Sequence, residues 1–287
     1  MKQRRSKPYV RRAAAAAGAL ALTAAFCWWE NNGLTLTRYQ WSSPKVPKAA
    51  DGFTIVQVSD LHNHSFGTEQ GGLLSLVAQA QPDLIVITGD IIDRNRTDLG
   101  PALTFAAGAA GLAPTWYVTG NHEFSVEEGT RQTLFQGLAR AGVHLLDDNW
   151  AQLELPGGAP LLLAGVSDTA LRAGDVQNVL AAARAESGLE EALTLLLAHE
   201  PQYLKSYAAA GADLVFCGHA HGGQIRLPAV GGLFAPGQGP LPEYTAGLYQ
   251  AEETTMLVSR GLGNSVFPLR VFNRPEITAL TLRAEGA

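Results

Sequence analysis

Six short apolar segments, each followed by a polar residue or glycine, constrain the fold of this 287-residue chain most. They are rich in Val, Ile and Leu and comprise residues 53–58, 84–88, 115–119, 161–166, 193–198 and 213–217. Near-continuous apolar strands of this kind are expected in a sheet that is covered on both faces. Helical patterns at 69–80, 127–141 and 174–184 lie between several of them. The alternation of strands and helices predicts an α/β fold.

The polar residues of interest follow directly after five of these strands, in the segments 60–62, 89–93, 120–123, 199 and 218–223. In open α/β sheets the ligand crevice lies outside the carboxyl ends of the strands. The five segments are therefore predicted to converge on one site. They contain five of the seven histidines, while His64 and His144 lack such context and are interpreted as loop or packing residues.

The first two segments supply carboxylates. Asp60 and His62 are two residues apart, point the same way in an extended chain and can together hold one metal ion. Asp90 follows Gly89, which permits a tight turn, and it can offer both carboxylate oxygens and so bridge two cations. Asp93 can orient another side chain of the site. Taken alone, each segment is also compatible with a polar loop or a helix cap.

The other three segments supply an amide and four imidazoles. The side-chain carbonyl of Asn121 is a neutral oxygen ligand, and the neighbouring His122 titrates in the range of a general acid for a leaving alkoxide. His219 and His221, two residues apart and flanked by glycines, form a metal-binding pattern. Taken alone, Asn121 and His122 are also compatible with a helix cap beside a surface histidine, and His199 with a structural histidine.

The ordered segments resemble the motifs of the calcineurin-like metallophosphoesterase superfamily. D-x-H, G-D-x-x-D, G-N-H-[DE], H and G-H-x-H are all matched between residues 60 and 221, and the resemblance extends over about 51–283. The segments 222–228, 259–265, 268–270 and 274–277 are similar to bacterial exported or membrane-anchored members. The resemblance implies a four-layer α/β/β/α sandwich of two mixed sheets with helices outside.

The resemblance also implies a site with two divalent metal ions that share Asp90. The other ligands would be Asp60, His62 and His221 for one ion, and Asn121, His199 and His219 for the second. His122 would assist phosphate binding and protonate the leaving group, with Asp93 supporting it. The mixed nitrogen and oxygen donors admit manganese, iron or zinc. Arg94 either contacts phosphate or is a solvated loop residue.

The implied reaction is hydrolysis of a phosphate ester. Hydroxide, formed when the metals lower the pKa of a water, attacks phosphorus in line, and no covalent enzyme intermediate is required.

The N-terminus has the pattern of a targeting segment. Residues 1–12 carry six basic and no acidic side chains, and the uncharged, mostly apolar residues 13–29 follow. A basic region before an apolar core is typical of a secretory signal, and 17 residues are at the lower limit for spanning a bilayer. Positive charge stays inside, so the domain is predicted outside the cytoplasmic membrane, anchored or exported. The sequence leaves open whether the N-terminal segment is cleaved and by which route the chain is exported. The alternative to a targeting segment is a buried helix of a soluble protein.

The predicted organisation is a signal or anchor segment (1–30), a linker (31–50) and a metallophosphoesterase domain (51–287). Formal net charge is −5 overall and +6 in residues 1–12, which leaves −11 for the rest. So acidic a domain lacks the basic footprint of nucleic-acid binding, and no nucleic-acid partner is expected.

The expected substrate is a phosphodiester or phosphomonoester. Alternatives are a UDP-diacylglucosamine-type pyrophosphate hydrolase, a nuclease, or a non-catalytic metal-binding scaffold. A lipid-like substrate suits the apolar, Gly/Pro-rich segment 228–248 beside a membrane anchor, although an ordinary surface loop has the same composition.

Overall fold

A computed structural model describes residues 8–264 and 267–286. The basic residues of the predicted targeting segment up to Lys7, and Ser265 of the tail pattern, lie outside these described ranges.

Helices and strands alternate through most of the chain. The elements up to residue 145 are α1 Pro8–Asn32, β1 Thr35–Ser43, β2 Thr54–Val58, α2 Gly71–Ala80, β3 Leu84–Thr88, α3 Gly100–Ala110, β4 Thr115–Val118, α4 Asn121–Phe124, α5 Glu128–Arg140 and β5 Val143–Leu145. The later elements are β6 Asn149–Glu154, β7 Pro160–Gly165, α6 Asp168–Ala173, α7 Val176–Ser187, β8 Leu193–Leu197, α8 Leu204–Ala209, β9 Leu214–Cys217, β10 Arg226–Leu227, β11 Gly231–Gly232, β12 Phe234–Ala235, β13 Gly239–Pro240, β14 Gly247–Ala251, β15 Thr254–Val258 and β16 Glu276–Ala284.

Twelve of the strands form two six-stranded mixed sheets, and β10-β11 and β12-β13 form two short antiparallel ribbons. The first has the order β1-β16-β2-β3-β4-β5, with β16 antiparallel to β2 and the other neighbours parallel. The second has the order β14-β15-β9-β8-β7-β6, with antiparallel pairs at both edges and parallel strands between them. Because β2, β3 and β4 run parallel, and β7, β8 and β9 likewise, their carboxyl ends lie together at one edge of each sheet.

Three apolar cores separate four layers. In β3, Ile85 and Ile87 face a core shared with α2, α3 and α5, whereas Leu84 and Val86 face a core shared with the second sheet. A third core lies between the second sheet and helices α6, α7 and α8. Successive side chains of a strand point to opposite faces, so strands buried on both faces must be apolar throughout. The predicted four-layer α/β/β/α sandwich is confirmed.

A buried glutamine joins the two sheets beneath the carboxyl ends of their strands. Gln57 of β2 donates through Nε2 to Thr88 Oγ1 at 2.9 Å and to the Cys217 carbonyl at 2.8 Å, and its Oε1 accepts from Thr278 Oγ1 at 3.0 Å. Its side chain is fully buried and its amide is bonded on both sides, as a polar group in a core must be. These bonds fix the ends of β3 and β9 relative to each other.

Part of the predicted linker (31–50) belongs to the first sheet. Thr35–Ser43 form β1, which pairs in parallel with β16 over nine residue pairs. Leu36 packs against the core on the helix side, while Tyr39 and Trp41 pack against the core between the sheets. The strand alternates half-buried and exposed residues, as an edge strand does, and therefore lacks a continuous apolar run. The boundaries at 30 and 50 stay a prediction.

The hydrophobic N-terminal helix is present as α1. Residues 11–32 are long and apolar enough to cross a membrane, by length and composition only, a test that a signal sequence also meets. Most of this stretch is exposed, but its last turn packs on the domain, with Glu30 only 3% exposed.

Candidate metal centre

The predicted site residues come together where the two sheets meet. They follow the carboxyl ends of strands in both sheets: Asp60 and His62 follow β2, Asp90 and Asp93 follow β3, Asn121 and His122 open α4 after β4, His199 follows β8, and His219 and His221 follow β9. The crevice expected outside these strand ends is therefore the place of convergence.

The backbone is unusual at these positions. Five of the residues have φ between 45° and 64°: Asp60, His62, Asp90, His219 and His221. This left-handed region is uncommon for residues other than glycine, and such strain concentrates at functional sites. The chains also approach closely, since a Cβ at Gly120 would overlap the Asp90 carboxylate and one at Gly218 would overlap that of Asp60.

One group of three possible ligands consists of Asp60, His62 and His221, whose donor atoms lie within 4.8 Å of one another. Asp60 Oδ1 is 3.6 Å from His221 Nε2 and 3.9 Å from His62 Nε2, and the two imidazole nitrogens are 3.3 Å apart. The backbone N–H of His219 lies 3.1 Å from both oxygens of Asp60 and holds this carboxylate in place.

A second group consists of Asp90, His199 and His219. His199 Nε2 is 3.2 Å from Asp90 Oδ2 and 3.1 Å from His219 Nδ1. His199 Nδ1 lies 2.7 Å from the Thr88 carbonyl, an acceptor that requires a proton on Nδ1. The same hydrogen bond fixes the ring orientation and turns Nε2 toward Asp90 and the rest of the site.

Asp90 lies between the two groups. Its Oδ2 is 3.2 Å from His199 Nε2 and 3.7 Å from His62 Nε2, so one oxygen faces both. Its Oδ1 accepts a hydrogen bond from the backbone N–H of His122 at 2.8 Å. The sequence predicts that both oxygens are offered to cations, whereas here one of them anchors the start of α4.

These residues are suited to cations. Burial lowers the pKa of His62 and of His219 to about 3, so both imidazoles are neutral at neutral pH and present lone pairs. The buried Oδ1 of Asn121 has no hydrogen-bond partner among the described residues. Carboxylate, amide and imidazole donor atoms that converge in this way can be satisfied by a metal ion, and this mixture of oxygen and nitrogen suits manganese, iron or zinc.

Glu123 is a site residue that sequence reasoning left without a role. Its fully buried carboxylate accepts backbone N–H groups of Asp90 at 3.0 Å, Ile91 at 2.9 Å and Gly120 at 2.8 Å. Burial, together with the charge of Asp90, raises the pKa of Glu123 to about 7. Glu123 thus ties the loop after β3 to the loop after β4. Its place in the third motif was the available signal, but spacing does not show which amides it accepts.

The environment of His122 fixes its tautomer. The backbone N–H of Arg94 donates to His122 Nδ1 at 3.0 Å, so the ring proton is on Nε2, which lies 4.0 Å from Asp90 Oδ2. Asp93 shares a group with His62 and His122, and its Oδ1 accepts from the backbone of Asn95 at 2.7 Å. Arg94 therefore acts on the site through its backbone, while its guanidinium lies 3.4 Å from Ser125 Oγ.

The C-terminal tail supports His221. The fully buried Arg270 places a guanidinium nitrogen 3.4 Å from His221 Nδ1 and donates to the Gly263 carbonyl at 2.6 Å. Asn273 donates to the His221 carbonyl at 2.7 Å. Burial lowers the pKa of Arg270 to about 10, so its charge is retained at neutral pH. Arg270 entered the sequence analysis only through the resemblance, and Asn273 lies outside the segments named there.

The calcineurin-like phosphoesterase family matches residues 53–223, more than half of the chain. The match spans the elements from β2 to the loop after β9, which carry both groups of possible ligands. The chain belongs to this family and is a phosphoric ester hydrolase, and members of the family typically bind divalent metals.

Three relatives are similar over most of their length. The uncharacterized metallophosphoesterase YkuE of Bacillus subtilis is 33% identical over 94% of both chains. The phosphodiesterase YaeI of Escherichia coli is 32% identical over 80% of this chain and 82% of its own. The UDP-2,3-diacylglucosamine pyrophosphatase LpxG of Chlamydia muridarum is 27% identical over 86% of this chain and 89% of its own.

We expect Glu123→Gln to lower the free energy of unfolding by about 2 kcal/mol, because an amide offers fewer acceptors and turns an N–H donor toward backbone donors. Urea unfolding at pH 8 in EDTA measures this change. The control is Glu127→Gln, an exposed position four residues away. Equal unfolding midpoints for the two variants would contradict the role assigned to Glu123.

Proposed function

We propose that the chain hydrolyses phosphodiesters or phosphomonoesters with two divalent metal ions that share Asp90. The observation that supports this is the position of Asp90 Oδ2, which faces both groups of possible ligands. One ion would be held by Asp60, His62 and His221, and the other by Asn121, His199 and His219, each together with Asp90. When bound, such ions polarise phosphoryl oxygens and lower the pKa of a water that attacks phosphorus.

His122 is proposed to act on the leaving group. Its Nδ1 is occupied by the Arg94 amide, so Nε2–H is the group that it can direct at an oxygen in the site. As the bond to the leaving oxygen breaks, negative charge develops there, and a hydrogen bond from the neutral ring's Nε2–H stabilises it. Asp93, beside His122 and His62, is proposed to support the ring electrostatically. A neutral imidazole acting as an electrophile is chemically established.

We expect His122→Ala to slow hydrolysis of an alkyl phosphodiester by about 10²–10³-fold, the range for loss of one hydrogen-bond donor to a developing oxyanion. The loss should be much smaller with p-nitrophenyl esters, because p-nitrophenolate delocalises its charge and needs little stabilisation from a hydrogen bond. Steady-state kinetics with both esters, in manganese or EDTA, measure this difference. His144→Ala is the control, since His144 stacks on Trp116 away from the site. An equal loss with both leaving groups would reject this role.

A second candidate is hydrolysis of a lipid-linked pyrophosphate. It is favoured by the similarity to LpxG, which is named as a UDP-2,3-diacylglucosamine pyrophosphatase and is similar over 86% of this chain. The test is hydrolysis of UDP-2,3-diacylglucosamine by protein that is active on aryl esters. No hydrolysis of this compound would reject the second candidate. A non-catalytic scaffold is disfavoured because every predicted ligand and His122 are present.

We propose that α1 anchors the domain outside the cytoplasmic membrane. The full chain is expected in the membrane fraction after an alkaline wash, and protease added to spheroplasts should digest its domain. A chain that begins at Glu30 keeps the contacts of that residue and should be soluble. Recovery of the full chain, with its N-terminus intact, in the soluble fraction would contradict the anchor.

A further inference from the structure

An almost wholly apolar pocket adjoins the candidate metal centre. Its volume is about 350 Å³, and it is lined mainly by His221, Ile225, Leu233, Phe234, Pro236 and Phe267. This volume is within the range of pockets that bind small molecules.

We propose that this apolar pocket binds the alkyl or acyl chain of a substrate whose phosphate lies at the metal centre. The inference rests on the proposed function and adds to it a substrate class, amphipathic phosphate esters.

The pocket and the centre share one residue. His221 lines the pocket, and its Nε2 lies 3.6 Å from Asp60 Oδ1, inside the first group of possible ligands. A molecule with its phosphate at that group therefore has the pocket directly beside it. The occupant is then part of the substrate rather than a separate ligand.

A second cavity makes the surroundings of the centre amphipathic. It has a volume of about 420 Å³, and its lining includes His62, Arg96 and Asp98. The rings of His62 and His221 stack with centroids 5.0 Å apart, so this partly polar cavity and the apolar pocket adjoin neighbouring imidazoles. A phosphate ester with one polar and one apolar substituent matches this arrangement.

The rim of the pocket is open and apolar. Phe234 is 54% exposed and Phe267 is 45% exposed. Large apolar groups in a contiguous exposed patch mark binding sites in soluble domains. Near them the buried Oε1 of Gln224 has no hydrogen-bond partner among the described residues. It can accept a hydrogen bond from an amide or hydroxyl at the head of the chain.

The last turn of α1 is fixed beside the same rim. Asn31 Oδ1 accepts from Asn264 Nδ2 at 2.8 Å and from the Arg270 backbone at 2.9 Å, which are on the two sides of Phe267 in the sequence. Glu30 accepts from the Asn273 backbone at 2.8 Å. A membrane helix that ends here brings the pocket to the bilayer surface, where lipid-linked esters present their chains.

The test uses the full chain in non-ionic detergent with methyl, butyl and octyl p-nitrophenyl phosphodiesters. We expect kcat/KM to rise with chain length by up to about fourfold per methylene, which corresponds to about 0.8 kcal/mol per buried CH₂. Phe234→Ser should lower the octyl-to-methyl ratio by about tenfold, because it removes a large apolar wall. Leu112→Ser is the matched control: it changes an exposed apolar residue before β4, at the opposite edge of the sheet, and should leave the ratio unchanged.

Each result decides the proposal. Equal kcat/KM for the methyl and octyl esters would overturn the pocket while leaving the proposed function intact. If kcat/KM rises with chain length but Phe234→Ser does not reduce the rise, the effect is due to partitioning of the ester into detergent. That result would also overturn the proposed binding of the chain in the pocket.

If no ester is hydrolysed, the proposed function fails, and calorimetric titration of the manganese-loaded chain with octylphosphonate and methylphosphonate decides the pocket. Tighter binding of the octyl compound that Phe234→Ser abolishes would support it. Equal affinities would overturn it.

Discussion

The site depends on the contacts of Asp90, because this residue joins imidazoles of both sheets, the start of α4 and the carboxylate of Glu123. Its Oδ2 faces imidazoles from both sheets, its Oδ1 holds the start of α4, and its backbone N–H is held by Glu123. A carboxylate used in this way cannot move without disturbing both groups of possible ligands. The left-handed backbone at Asp90 is maintained by the buried strands on either side, which supply the rigidity that such strain requires.

The two-sheet architecture explains why possible ligands distant in sequence can be neighbours. Asp60 follows a strand of the first sheet and His221 follows a strand of the second, yet their donor atoms are 3.6 Å apart. Gln57 bonds to both sheets below this point, and the core between the sheets holds them together. The same convergence leaves two cavities beside the centre, one of mixed polarity and one apolar.

The sequence predicted six strands, which are β2, β3, β4, β7, β8 and β9, and the segments that follow them, because continuous apolar runs and terminal polar residues are local patterns. It did not predict β1, whose residues alternate, or β16, whose Glu276–Ala284 span mixes Thr and Arg with apolar residues. The sequence also did not predict the contacts of Glu123, of Arg270 and of the Arg94 backbone, since tertiary packing determines their partners. The family resemblance implied the grouping of the ligands, and spacing alone did not.

The most direct test is anomalous diffraction from crystals of the chain grown with saturating Mn²⁺. Two peaks are predicted, one bounded by Asp60, His62 and His221 and one by Asn121, His199 and His219, about 3.5–4 Å apart as in two-metal sites. Asp90, between them, should contact both. A single peak, or none, at saturating Mn²⁺ would contradict the shared-carboxylate centre.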